Sequence, residues 1–138
     1  PRSRTVQPHS LGQAGRRWHV RGYGLETGDF RDSVLGRIAK LSMLDQKAES
    51  TVAEDTKWNA VVKVRIQAHP KLTPGQQDLV RSEYFEGTAA RVHSCRGALL
   101  PYLVQELRLA LDVAKELPPE YQLAVENVAE VRKWLFPA

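Results

Sequence analysis

This chain has little of what most membrane, secreted and catalytic classes need. Its 138 residues include one cysteine, Cys95, so an internal disulfide framework is excluded. No apolar run approaches the roughly 18 residues that a membrane-spanning helix requires. The opening PRSRTVQPHS has none of the apolar character of a secretory signal. Together these features point to a cytoplasmic protein with no membrane partner. The four histidines, His9, His19, His69 and His93, show no metal-ligand spacing, and a lone cysteine adds nothing to them, so no metal site is expected. Gly12, Gly15, Gly22 and Gly24 fall between strand-like stretches and not ahead of a helix. The phosphate loop of ATPases and the glycine fingerprint of dehydrogenases are therefore missing, and no cofactor is called for.

What is present is enough apolar content, 42% of residues, to bury one good core or two small ones. The charge is uneven. Residues 1 to 47 carry nine Lys or Arg against four Asp or Glu, a net +5, while residues 48 to 138 carry eleven against twelve. Seven of the nine basic residues in the first part are arginines, whose planar fork suits phosphate and carboxylate recognition and stacks on bases. An anionic partner for the first part is the inference.

The most informative stretch runs from Arg16 to Ile38. Alternation places Trp18, Val20 and Gly22 on one side of a strand and Arg17, His19, Arg21 and Tyr23 on the other, giving one apolar and one cationic face. A turn at Glu26-Thr27-Gly28-Asp29 leads to a second strand with Phe30 and Val34 on one face and Arg31, Ser33 and Leu35 on the other. Arg37 follows on a tight turn. Strands are expected over Thr5 to Leu11, Trp18 to Tyr23, Phe30 to Val34 and Ala39 to Leu44. The polar run Asp45 to Lys57 has no apolar periodicity and reads as a linker.

Trp18-His19-Val20, Tyr23, Phe30-Arg31 and Arg37-Ile38, with Pro8-His9-Ser10-Leu11 upstream, give a chain that resembles the WYL domain of bacterial transcriptional regulators. His19 and Val20 stand where the family's naming triplet has Tyr and Leu, so order and spacing carry the likeness. The resemblance implies an α+β chain in which a small SH3-like or Sm-like β-barrel over residues 1–45 precedes a linker over 46–57 and an α/β extension over 58–138. It implies that Arg31 and Arg37 line a pocket for a nucleotide or other anionic ligand, with Tyr23, His9 and Ser10 completing it. It also implies a homodimer, with DNA read by a winged helix-turn-helix domain ahead of a fragment that starts at Pro1.

Each of these residues also has a plainer role available. Arg31 and Arg37 can be surface arginines ion-paired to Asp29 and Asp32, and those two aspartates are accounted for by turn capping. Arg17 and Arg21 either extend a basic surface toward a phosphate backbone or serve solubility. Trp18 belongs mainly to the core, with contact to ligand as its second role. A module that grips RNA or single strands directly is the alternative function. A thiol hydrolase using Cys95 beside His93 and Arg96 is a third, and it needs a lowered thiol pKa and a base within hydrogen-bond reach.

Beyond the linker, Ala60, Val62, Val64 and Ile66 alternate with Val61, Lys63, Arg65 and Gln67, as in a half-buried strand. Thr73-Pro74-Gly75-Gln76 is a capping box with proline at the first helical position, predicting a helix from Pro74 to about Tyr84 that Gly87 ends. Thr88 to His93 alternates again. A long helix is expected from Ala98 to Lys115, with Leu99, Leu103, Leu107 and Leu111 on one face that serves the core or a dimer. Gln122 to Val125 reads as a last strand, and Asn127 as the cap of a final helix ending near Leu135. The ending Trp134-Leu135-Phe136-Pro137 is similar to that of phage-defence-associated WYL members.

Overall fold

Two capping boxes and two sets of alternating strands account for most of the architecture. The computed structural model describes residues 2–135, in two compact units that divide after Asn59. In the first unit, β1 (Val6–Ala14), β2 (Arg17–Gly24) and β3 (Asp29–Val34) form an antiparallel sheet in that order. Gly28 turns the β2–β3 connection at φ +70°, a conformation that glycine adopts without a Cβ penalty. A short 3-10 turn, Leu35–Arg37, follows β3.

Among the described residues this sheet does not close into a barrel. The fourth expected strand, Ala39 to Leu44, is irregular and exposed: Leu41 and Met43 are 82% and 91% exposed, so no apolar burial holds the segment to the sheet. The run expected as a linker also behaves differently at its end. Thr51 and Glu54 form a capping box around the 3-10 turn Val52–Glu54, and α1 (Thr56–Asn59) follows, so Trp58 belongs to the first unit and does not open the second.

The second unit is built on β4 (Val61–Ala68), whose Val62, Val64, Ile66 and Ala68 point inward and whose alternate residues point out. β5 (Ala90–Arg96) pairs on one side of β4 and β7 (Leu123–Val125) on the other, both antiparallel. A two-residue β6 (Leu109–Ala110) adds a parallel edge, giving the order β5-β4-β7-β6. The helix α2 (Pro74–Phe85) starts at the expected box: Gln76 N–H donates to Thr73 Oγ1 at 3.3 Å and Thr73 N–H to Gln76 Oε1 at 3.0 Å. It ends through Glu86 and Gly87, both with positive φ. Val80 and Phe85 of α2, Leu100 of α3 (Leu100–Glu106) and Val131 of α4 (Val128–Leu135) complete a single core with the inner face of the sheet.

The expected helix from Ala98 to Lys115 is cut short. After α3 the backbone of Arg108 turns left-handed at φ 49°, and Leu109 and Ala110 leave the helix to pair with Leu123 and Ala124. Both are fully buried there. Leucines four apart suited a helix, but the backbone groups of β7 needed an edge partner, and that pairing prevails. Asn127 also does more than cap. Its Oδ1 accepts from Arg65 N–H at 2.9 Å and its Nδ2 donates to Lys63 O at 2.7 Å, so its amide extends the β4 ladder as another residue of β7 would. Buried His69 joins two loops: Nδ1 accepts from Lys71 N–H at 3.1 Å, leaving Nε2–H to donate to Glu116 O at 2.7 Å. Phe136 and Pro137, of the terminal motif, lie outside the described residues.

The left-handed Arg108 yields a direct check. Arg108→Gly is expected to leave unfolding free energy within about 0.5 kcal/mol of the parent or to raise it, because glycine removes the Cβ penalty at positive φ. In a continuous helix the same change would cost about 1 kcal/mol. Urea unfolding of the two proteins distinguishes these outcomes.

Candidate functional site

The first unit's inward face is polar. Directly paired strand residues share a face, so Arg21 stands with Asp32, Tyr23 with Phe30, and His19 with Val34. Between Pro8, opposite Gly22, and Ser10, opposite Arg21, the register shifts, leaving His9 as the extra residue of a β-bulge. Gly22 permits the close approach there: a Cβ on it would lie 2.7 Å from the Gln7 carbonyl oxygen and 2.8 Å from Pro8 Cα.

Asp55, from the supposed linker, is the point on which these groups converge. Its carboxylate accepts a two-pronged bond from Arg21, Nε at 2.7 Å and Nη2 at 2.9 Å, and a further bond from His9 Nε2 at 2.9 Å. Its Oδ1 also accepts from Trp58 N–H at 3.2 Å, which caps α1. With His9 Nε2 turned to the carboxylate, its Nδ1 lies 2.8 Å from the Ser10 hydroxyl. Arg21 Nη1 reaches Asp32 Oδ1 at 3.4 Å. Phe30 and Trp58 pack on the His9 ring at centroid distances of 5.6 and 5.5 Å, and Tyr23 packs edge-on to Phe30.

Burial opposes both charges, and the pairing outweighs it. Burial alone would raise the Asp55 pKa, but hydrogen bonds from Arg21, His9 and the Trp58 amide hold it below the ordinary aspartate value. Burial would likewise lower Arg21, and Asp55 and Asp32 hold it above its usual value. Asp55 and Arg21 are 1% and 6% exposed, so water screens this pair far less than a surface pair.

The eight expected ligand residues therefore separate. His9, Ser10, Arg21 and Tyr23 come together on the inward face, with Arg21 and His9 engaged by Asp55. Trp18 and Arg31 lie on the opposite face. Trp18 is half exposed and outside any core, since alternation turns it outward once Arg21 is inward. Arg31 pairs with Asp29 at 2.9 Å in the open, and the pKa of Asp29 is lowered by hydrogen bonds from Thr27 and Arg31. Arg17 and Arg37 are exposed. Asp55 and Trp58 were missed, although Asp55-Thr56-Lys57-Trp58 after the Thr51–Glu54 box is a helix-start signature.

Outside this site, Cys95 packs partly against the second unit's core and donates to the Arg96 carbonyl at 3.3 Å. Burial raises its thiol pKa, the opposite of what a thiolate nucleophile requires. Among the described residues, no group of three or more His, Cys, Asp or Glu could hold a metal ion, and no helix is long and apolar enough to cross a membrane.

Comparison with known proteins gives consistent results. The family model for the BrxR transcriptional regulator C-terminal dimerization domain matches residues 61–131, within the second unit. A DNA-binding transcriptional repressor CapW from Pseudomonas aeruginosa is 39% identical over 94% of this chain, which spans 43% of that protein. CapW from Escherichia coli strain KTE188 is 34% identical over 93% of the chain and 42% of its own length. CapW from Stenotrophomonas maltophilia is 32% identical over 98% of the chain and 45% of its own length. The chain thus spans less than half the length of these relatives.

The Asp55 network has two expected consequences. Asp55→Ala leaves Arg21 buried without its main partner and should cost about 3–5 kcal/mol, read as faster amide hydrogen exchange across β1–β3. Because the folded-state pKa of Asp55 lies below its unfolded value, its contribution is complete above about pH 4 and is lost as pH falls through the folded value. The stability gap between wild type and Asp55→Asn should therefore be flat near neutrality and narrow under acid. Gly22→Ala should cost about 1–3 kcal/mol by forcing β1 away from β2, read by urea unfolding.

Proposed function

Since the chain belongs to the family of the BrxR transcriptional regulator C-terminal dimerization domain, we propose that it is the regulatory, dimer-forming portion of a DNA-binding transcriptional repressor. The observation that carries this is its likeness, along almost its whole length, to CapW repressors from three bacteria. DNA is read in this proposal by a winged helix-turn-helix domain outside these 138 residues, in the cytoplasm and in a phage-defence setting.

The first unit is, in the same proposal, a ligand sensor of WYL type, its three-stranded sheet being part of an SH3-like or Sm-like barrel. Its ligand is anionic, a nucleotide or short single-stranded nucleic acid. The net +5 of residues 1 to 47 and the exposure of Arg17, Arg31 and Arg37 support this. Trp18, on the same face as Arg31, offers a ring for base stacking. Arg21, His9, Ser10 and Tyr23 fix the sheet beneath this surface, because Asp55 already occupies the Arg21 fork and the His9 ring. Ligand binding shifts the dimer between two arrangements and so changes DNA affinity, with no catalysis. The exposed arginines also favour a second reading, in which the first unit grips nucleic acid directly without sensing.

Fluorescence anisotropy tests the sensor reading, with labelled single-stranded oligonucleotides and cyclic nucleotides titrated into wild type and an Arg31→Ala, Arg37→Ala variant. Saturable binding that the variant weakens at least about tenfold, equivalent to about 1.4 kcal/mol, is expected. Equal binding by both proteins, or none by either, would remove these arginines from the site. A steep salt dependence with many oligonucleotides bound alike would favour the direct grip.

A further inference from the structure

Residues 51–59 of the first unit are braced within themselves. Thr51 N–H donates to Glu54 Oε1 at 3.2 Å, and Asn59 Nδ2 donates to Val52 O at 2.8 Å and to Asp55 O at 2.9 Å. All of the stretch except Asp55 and Trp58 is exposed, so little of it is held by burial. Asp55 ties it to the sheet through Arg21 and His9, and the Trp58 ring stands edge-on to the His9 ring. The unit ends at Asn59, so this stretch is also the path by which the chain continues to Ala60.

We propose that residues 51–59 are a displaceable strap over the inward face, with the Asp55 carboxylate standing in for a phosphate group that takes its place when the strap opens. The inference rests on the sensor reading above and adds what keeps the sensor closed. An arginine fork receives a carboxylate or a phosphate through the same pair of parallel N–H donors. Asp55 occupies Arg21 in that manner, with Nε at 2.7 Å and Nη2 at 2.9 Å. His9 Nε2 lies 2.9 Å from the same carboxylate, and the Ser10 hydroxyl stands at the other ring nitrogen. When the carboxylate leaves, the fork and the imidazole remain as a place for an oxyanion.

Charge makes the release an exchange. Arg21 is buried and stays protonated, so losing Asp55 without a replacement leaves a buried cation short of its main partner. Asp32 reaches Nη1 at 3.4 Å, whereas Asp55 fills the Nε edge, and it is this edge that an incoming anion must fill. The strap can then move as a body. Its Asn59 and Thr51–Glu54 bonds do not use the carboxylate, and Trp58 N–H, which bonds to Asp55 Oδ1, travels with it. Apolar side chains would fasten such a stretch at least as firmly as a buried ion pair. A carboxylate on a fork differs in that another oxyanion can compete for its place.

Hydrogen–deuterium exchange of the 138-residue chain tests the strap, with inorganic phosphate replacing chloride at constant ionic strength. Expected is a saturable rise in exchange across residues 51–59, at least about fivefold, with the amides of β2 and β3 unchanged. Calorimetric titration of phosphate then separates competition from plain support. Asp55→Asn, which weakens the competitor, should bind phosphate at least about tenfold more tightly than wild type, and Arg21→Lys, which keeps the charge and loses the fork, at least about tenfold more weakly. If Asp55 and Arg21 merely held the sheet together, the two variants would move phosphate affinity the same way or not at all. Either of those results, no rise in wild type up to about 100 mM phosphate, or an equal rise in β2 and β3, would overturn the strap. Should Asp55→Asn fail to fold, the wild-type exchange profile decides alone. Oligonucleotide binding that persists in the anisotropy titration would leave the sensor reading standing after such a result, and its absence there would overturn that reading too.

Discussion

One carboxylate organises the first unit. Asp55 receives the Arg21 fork, the His9 ring and the first turn of α1, so a strand, a bulge and a helix start are secured by one side chain that is almost wholly buried. Charges of opposite sign can be buried only where each finds several well-placed partners. Here Arg21 has two acids and Asp55 has three donors. This explains why the face of β2 that looks cationic in the sequence is turned inward while Trp18 is turned out. An arginine strand facing a buried aspartate can form part of a core, which alternation alone would reserve for the apolar side.

The second unit relies on a different constraint, the need to satisfy the backbone at the edge of a short strand. β7 has only three residues, and two ungainly devices support it: a two-residue strand from a segment with helical spacing, and the amide of Asn127 in place of a backbone group. Each keeps polar backbone atoms paired close to a core made mostly of valine and leucine, with Ile66, Ala68 and Phe85. The same arrangement leaves one face of the sheet charged and the helical side partly apolar, and that contrast distinguishes the two surfaces of the unit.

Much of this was legible from residue order. The three strands of the first unit, β4, the boxed start of α2, its glycine end and the last helix fall within a few residues of where alternation and capping place them. Local signals are enough for such elements because their determinants lie within a few residues of one another. The failures were all non-local. Leu109 and Ala110 became a strand because of a partner fourteen residues further on, a contact that periodicity does not encode. Residues 39–44 did not pair, and their apolar side chains Leu41 and Met43 bury almost nothing against the rest of the unit. Asp55 was overlooked because a polar run without periodicity reads as solvent-exposed, and its decisive partners, His9 and Arg21, are 46 and 34 residues away. Alternation separated the two faces of β2 but did not tell which of them looked inward, because the partner that draws Arg21 in lies far along the chain.

The bulge at His9 changes how variation along β1 should be interpreted. With one residue more on β1 than on β2 between Pro8 and Ser10, the alternation of inside and outside restarts at that point. His9 and Ser10 are neighbours in the chain, yet they bond to each other and serve the same buried cluster, whereas Leu11 beside them is largely in water. Tolerance to substitution from Val6 to Ala14 therefore follows two period-two patterns out of step with each other. A search of natural variants that assumes one continuous strand would place the intolerant positions on the wrong side for half its length.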